Sequence, residues 1–155
     1  MVDVVDRATR SRMMSGIRGK DTKPEILVRK ALHARGFRYR LHVAGLPGKP
    51  DLVFPRYRAV LFIHGCFWHG HDCRYFRLPA TRPEFWTQKI RGNQDRDRRQ
   101  VQTLKEAGWR TLVVWECMTR KGYSIPFDGL VDCIADWLVM GKNPPFADAD
   151  GRHVQ

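Results

Sequence analysis

Four soft metal ligands, split between two distant points, constrain this chain more than any other feature. Cys66, His71 and Cys73 lie in one short stretch, as Cys-x4-His-x-Cys, and Cys117 follows after 43 intervening residues. Three thiolates and one imidazole form a complete tetrahedral zinc set with no position left open, so a structural site is expected. Such a staple suits a small domain that carries a long irregular loop. The alternative makes Cys66 and Cys117 buried core thiols and His71 incidental. Cys133, on the final helix, reads as core or partly exposed, with no role.

The remaining pattern is α/β. Thr22-Lys23-Pro24-Glu25 starts a helix, with Thr22 as N-cap, Pro24 in the first turn and Glu25 completing a capping box. Gly36 stops it. Phe37, Tyr39, Leu41 and Val43 alternate with polar residues and predict a strand. The loop 45–50 leads into two short strands, 51–54 and 57–63, with Pro55 and Arg56 at the turn. A long charged helix is expected over 84–107, ended by Gly108, then a buried strand over 109–115 and an amphipathic helix over 128–140. This order indicates helices sandwiching a mixed β-sheet. The domain proper spans 21–140, and residues 141–155 read as a loose C-terminal tail.

Charge points to the partner. The 155 residues carry a net +12, and 43% are hydrophobic, so the chain folds and needs an acidic counterpart, most simply nucleic acid. Residues 1–110 hold 24 Lys/Arg against 10 Asp/Glu, and residues 111–155 hold 4 against 6. The basic face therefore belongs to the first two-thirds of the chain. Residues 1–20 are Arg-rich and read as a short helix or an arm that orders on DNA. No apolar run is long enough to span a bilayer and the N-terminus has no signal-peptide pattern, so no membrane role and an intracellular, cytoplasmic location are expected.

Two further groups carry chemistry. Asp51 leaves a glycine-rich loop and enters a strand, where a carboxylate can hold Mg²⁺. His64 ends the following strand, and His69 lies in the zinc-pinned loop. One carboxylate and two imidazoles suit metal-assisted phosphodiester hydrolysis, with one His activating or positioning water. Phe67-Trp68 sits between the ligands Cys66 and His71, and Phe85-Trp86 opens the long helix. Rings of this kind can wedge between base steps. Phe85 is read as core, while Trp68 and Trp86 stand evenly between core and wedge. Along that helix the Asp and Arg residues pair at i, i+4 and solvate an exposed face, which leaves Lys89 and Asn93 as candidate base or phosphate contacts.

At this point the chain resembles the very-short-patch-repair mismatch endonuclease family (Vsr). The matching stretches are Asp6-x-x-Thr9-Arg10-Ser11 with Met14, Thr22-x-x-Glu25, Leu46-Pro47-Gly48-x-Pro50-Asp51, the block His64–Cys73, Pro79–Arg82 with Glu84-Phe85-Trp86, Arg96–Arg99 and Val114-Trp115-Glu116-Cys117. The resemblance implies a restriction-endonuclease-like core with a variant active site. It implies Mg²⁺ on Asp51 and on the main-chain carbonyl of Ile63, with Glu25 supporting metal-bound waters. His64 and His69 assist, His69 as general base. Zn²⁺ would be held by Cys66, His71, Cys73 and Cys117. Phe67, Trp68 and Trp86 would insert beside the mismatch, Met14 would enter from the arm, and Lys89 and Asn93 would read the mismatch. The implied reaction is a nick 5′ to the thymine of a G·T mismatch, the product of 5-methylcytosine deamination. A MutL-type repair partner, a monomeric state and a place on the nucleoid follow from the same resemblance. Ile63 stands where the family commonly has Thr, and Gly70 and Asp72 stand where some relatives have histidines. Two other readings remain at this level: a restriction-type endonuclease of the same fold, and a non-catalytic zinc-containing DNA-binding module.

Overall fold

The structure is a computed structural model that describes residues 7–8 and 20–147. Its elements are α1 (Lys23–Ala34), β1 (Arg40–Leu41), β2 (Leu52–Phe54), β3 (Ala59–His64), α2 (Pro83–Glu106), β4 (Arg110–Trp115) and α3 (Phe127–Met140). Single turns of 3-10 helix cover Pro55–Tyr57 and Glu116–Thr119. The sheet runs β1-β2-β3-β4, antiparallel between β1, β2 and β3 and parallel between β3 and β4. Every residue of β3 is buried. Successive side chains point to opposite faces, so both faces of the sheet are covered, as the expected α/β sandwich requires. Helices α1 and α3 pack on each other, and α2 packs on β4.

Local chemistry explains the element ends. Thr22 Oγ1 accepts the Glu25 N–H at 3.5 Å, and Glu25 Oε2 accepts the Asp21 N–H at 3.0 Å, one residue earlier than the usual capping box. Helix α3 has no basic residue in its last turn. Arg110 of β4 supplies that function instead, donating to the Trp137 and Leu138 carbonyls at 2.7 and 2.9 Å.

Two expectations are corrected. The strand expected over Phe37–Val43 shrinks to Arg40–Leu41, and Leu41 is 43% exposed. His42 has φ +47, a left-handed backbone that ends the ladder. Phe37 and Tyr39 reach the core from outside the sheet, edge-on to Phe54 at 6.5 and 5.9 Å. The start of the expected loose tail is packed as well: Phe146 is buried in the main core. The arm residue Met14 lies outside the described residues, as do 148–155. No helix among the described residues is long and apolar enough to cross a membrane.

Candidate active site and metal centre

Sheet topology gathers the site at one end. Because β2 and β3 are antiparallel, the start of β2 lies beside the end of β3, which brings Asp51 to Ile63 and His64. Because β3 and β4 are parallel, both strands end there too, with His64 in register with Trp115. The loop carrying Cys66 to Cys73 leaves β3 at this edge, and Cys117 follows β4. The first turn of α1 adds Glu25. Segments far apart in sequence thus deliver carboxylates, imidazoles and thiols to one place.

A cleft of about 1120 Å³ opens at this end, lined among others by Glu25, His42, Asp51, His64, His69 and Lys89. Asp51 Oδ2 accepts the Ile63 main-chain N–H at 2.6 Å. Burial raises the Asp51 carboxyl to about 7; the Ile63 N–H opposes this and the Glu25 charge adds to it. His64 is pushed well below the usual imidazole range, first by burial and then by His69, so it is neutral at pH 7. The rings of His64 and His69 stack at 3.8 Å, 3° from parallel. His69 Nδ1 lies 2.5 Å from Asp97 Oδ2. A carboxylate there assigns the proton to Nδ1 and leaves Nε2 as the basic nitrogen.

Asp97 and His42 were not among the residues expected in the site. The charge pattern of the helix makes Asp97 one of its solvated residues, yet it follows Asn93 by one helical turn and so shares its face. That spacing was the available signal. His42 places Nε2 at 3.4 Å from Glu25 and 3.5 Å from Asp21, and Nδ1 at 3.9 Å from Asp51. Nothing in a polar residue at an alternating position announces this. The loop entering Asp51 turns at Gly48, φ +77, where a Cβ would sit 2.8 Å from the Gln100 side-chain oxygen. The positive φ, a conformation L side chains rarely adopt, favours glycine there.

The four expected soft ligands converge. One donor atom each from Cys66, His71, Cys73 and Cys117 lies within 4.8 Å of the others, and Cys117 Sγ is 3.5 Å from His71 Nδ1. All four cysteines of the chain are free thiols. The geometry fits a metal held by three sulfurs and one nitrogen. Trp115 separates this cluster from the cleft. Its ring stacks on His71 at 4.1 Å and meets His64 edge-on at 5.3 Å.

The aromatic residues form a cluster of their own rather than joining the core. Phe67 lies 5.1 Å from Trp68 and 5.4 Å from Trp86, and Trp68 lies 5.9 Å from Trp86. All three are half-buried. Phe85, expected in the core, is 44% exposed, with the Arg82 guanidinium 4.5 Å above its ring. A cation over the ring face offsets part of that exposure. Asn93 Nδ2 donates to the Trp68 carbonyl at 2.8 Å, and Gln94 Nε2 donates to the carbonyls of His69 and Gly70 at 3.2 and 3.3 Å. Helix α2 therefore grips the loop that presents Trp68 and His69. Lys89 is exposed at the rim of the cleft.

Comparison with known proteins gives the family. Residues 2–75 match the family model described as DNA mismatch endonuclease Vsr. The chain is 45% identical over 117 residues to the Type II nicking enzyme V.NmeAIP of Neisseria meningitidis, covering 76% of this chain and 84% of that one. It is 50% identical over 117 residues to the Type II nicking enzyme V.XorIIP of Xanthomonas oryzae pv. oryzae, covering 76% and 86%. Against the DNA mismatch endonuclease Vsr of Escherichia coli (strain K12), identity is 43% over 154 residues, covering 99% of both chains. With a match that runs end to end at this identity, the chain belongs to the Vsr family of DNA mismatch endonucleases.

Proposed function

We propose that this chain is a Mg²⁺-dependent, zinc-braced endonuclease that nicks duplex DNA 5′ to the thymine of a G·T mismatch, leaving a 5′-phosphate and a 3′-hydroxyl. The observation that carries the reading is the meeting in one cleft of half-buried Asp51, the stacked His64–His69 pair and Trp68, the member of the Phe67–Trp68–Trp86 cluster that lines it. The relatives' names support the reaction class. A restriction-endonuclease-like ancestry of the sheet, a monomeric state, a MutL-type partner and a cytoplasmic, nucleoid-associated location belong to the same proposal.

Asp51 and the carbonyl of Ile63 would hold Mg²⁺, with Glu25 on its waters; the ion would neutralise the scissile phosphate and stabilise the leaving oxygen. The chain's own groups do the rest. His69, held by Asp97 through Nδ1, presents Nε2 to take a proton from the attacking water. Neutral His64, stacked beneath it, restricts the ring to one orientation and offers a hydrogen bond to the phosphate without adding charge. The basic face gathers the duplex through its phosphates, so affinity falls steeply with salt. Phe67, Trp68 and Trp86, with Met14 from the arm, wedge where stacking is weakest, and a mismatch lowers that cost. Asn93 spends its amide N–H on the Trp68 carbonyl, so it steadies the wedge as well as facing the mismatch, and Lys89 reaches a base or phosphate. Cys66, His71, Cys73 and Cys117 would hold Zn²⁺, chosen by sulfur-rich donors, with all four positions filled by protein.

The test is strand-resolved cleavage of a G·T duplex and its G·C counterpart with Mg²⁺. The expected result is one nick, on the thymine strand of the mismatched duplex, abolished in Asp51→Ala. Cleavage of both strands of matched DNA would identify a restriction-type enzyme, and binding without cleavage would identify a non-catalytic module; either overturns the proposal.

A further inference from the structure

His42 lies in the cleft wall and has no part in the chemistry above. Its backbone is strained, a non-glycine residue at φ +47 just after β1. Such conformations persist where the surroundings hold them, and they cluster at functional sites. The surroundings here are carboxylates. The His42 N–H donates to the Asp51 carbonyl at 3.4 Å, and the turn swings the imidazole between Glu25, Asp21 and Asp51. Nε2 is buried between the Glu25 and Asp21 carboxylates, 3.4 and 3.5 Å away. An apolar side chain would fill the same space without meeting either carboxylate, so packing alone does not account for a histidine here.

The far side of His42 is anchored. Arg29 donates to Asp21 Oδ1 at 2.7 Å, and the Asp21 N–H donates to Glu25 Oε2 at 3.0 Å. Glu25 is buried, and its charge acts unfavourably on Asp51. Asp51 and Glu25 are also in direct side-chain hydrogen-bond contact, and the His42 ring, with one nitrogen toward each carboxylate, braces that contact from one side.

We infer that His42 is a positioning residue for the divalent-cation site, holding Glu25 and Asp51 at the separation that lets them share one hydrated Mg²⁺. The inference rests on the reading of Asp51 as the metal carboxylate. Groups behind metal ligands typically change metal affinity by about 10–100-fold when removed.

The experiment uses the full-length, zinc-loaded protein and its His42→Ala, His42→Leu and His42→Gln variants, with Asp51→Ala as reference. Leu fills the space without a nitrogen; Gln keeps an N–H within reach of a carboxylate. The readouts are the Mg²⁺ concentration that half-saturates nicking of a G·T duplex, and Mn²⁺ binding by electron paramagnetic resonance without DNA. His42→Ala and His42→Leu should each weaken both by about 10-fold, with nicking at saturating Mg²⁺ close to wild type. His42→Gln should recover most of the loss. Wild-type metal affinity in the Leu variant, no recovery with Gln, or lost nicking with unchanged Mn²⁺ affinity would each overturn the inference. Two failures are separable. Mn²⁺ binding that Asp51→Ala leaves intact removes the reading of Asp51, and this inference with it. Binding that Asp51→Ala abolishes and all three His42 variants preserve removes only the role of His42.

Discussion

Two ligand clusters share one end of the sheet, with the Trp115 ring between them, and they are built in opposite ways. On one side Cys66, His71 and Cys117 are buried and, with Cys73, offer four soft donors from protein. On the other side Asp51, Glu25, His64 and His69 face an open cleft with oxygen and imidazole donors. The first cluster is closed, which suits holding the loop in place. The second leaves room for waters and a phosphate, which chemistry requires. The provenance of the donors differs as well. Three of the four soft ligands come from one short loop, whereas the cleft draws on α1, β2, β3, the loop and α2. A staple needs only local spacing plus one distant anchor; a reaction centre needs several elements to converge.

This division is open to direct attack. The largest effect is expected at the closed cluster. Cys117→Ser, or treatment with a strong chelator, should lower the melting temperature by more than about 10 °C or abolish cooperative melting, since the proposed structural zinc would supply folding free energy. Differential scanning calorimetry reads it. An unchanged melt after chelation would erase the distinction between the two clusters.

Asp51→Asn should do the reverse. Nicking should fall by about 10³-fold or more, while the fold gains stability in Mg²⁺-free buffer at pH 8, by about 3 °C in melting temperature. The sign follows from burial. The folded carboxyl titrates near 7, whereas the unfolded one releases its proton near its ordinary value. Between about pH 4 and pH 7 the folded state holds more protons, so wild-type stability drops as pH rises through that window and stays lower above it. Asn removes this loss, so the gap between variant and wild-type melting temperatures should widen from pH 4 to 7 and then level off. A constant gap would refute it.

The smallest of the three effects concerns Asp97. Asp97→Asn should lower the maximal nicking rate by about 10–100-fold through loss of the ring's orientation and tautomer. DNA affinity and melting temperature should stay near wild type. A matching loss of DNA affinity would show that Asp97 serves binding rather than His69.

Much of this was legible in the sequence for identifiable reasons. The capping signal at Thr22–Glu25 and the glycine at 108 act within one or two turns of chain, so helix ends followed closely. The soft ligands declared themselves because few other pressures place three cysteines and a histidine in such a pattern. Phe85, Asp97 and His42 resisted for a different reason. Each is a common residue type whose role depends on what the folded chain places beside it: Arg82, three residues back, over one ring, and, from distant segments, His69 beside one carboxylate and acids around one imidazole. The strand expected through Leu41 failed because alternation assumes a regular backbone, and the left-handed turn at His42 breaks it.

By itself the sequence determined the kinds of chemistry available: soft sulfur donors, a carboxylate, nearby histidines, aromatic rings and a positive surface. These are properties of residue type and short spacing. Only the tertiary structure decided that they act together. An antiparallel β2–β3 hairpin beside a parallel β3–β4 pair sends the start of one strand and the ends of two others to a single edge. That convergence bonds Asp51 to the Ile63 main chain, stacks His64 on His69 and sets Trp115 between the cleft and the thiols. Burial and proximity, not composition, then set the proton affinities on which the proposed chemistry depends.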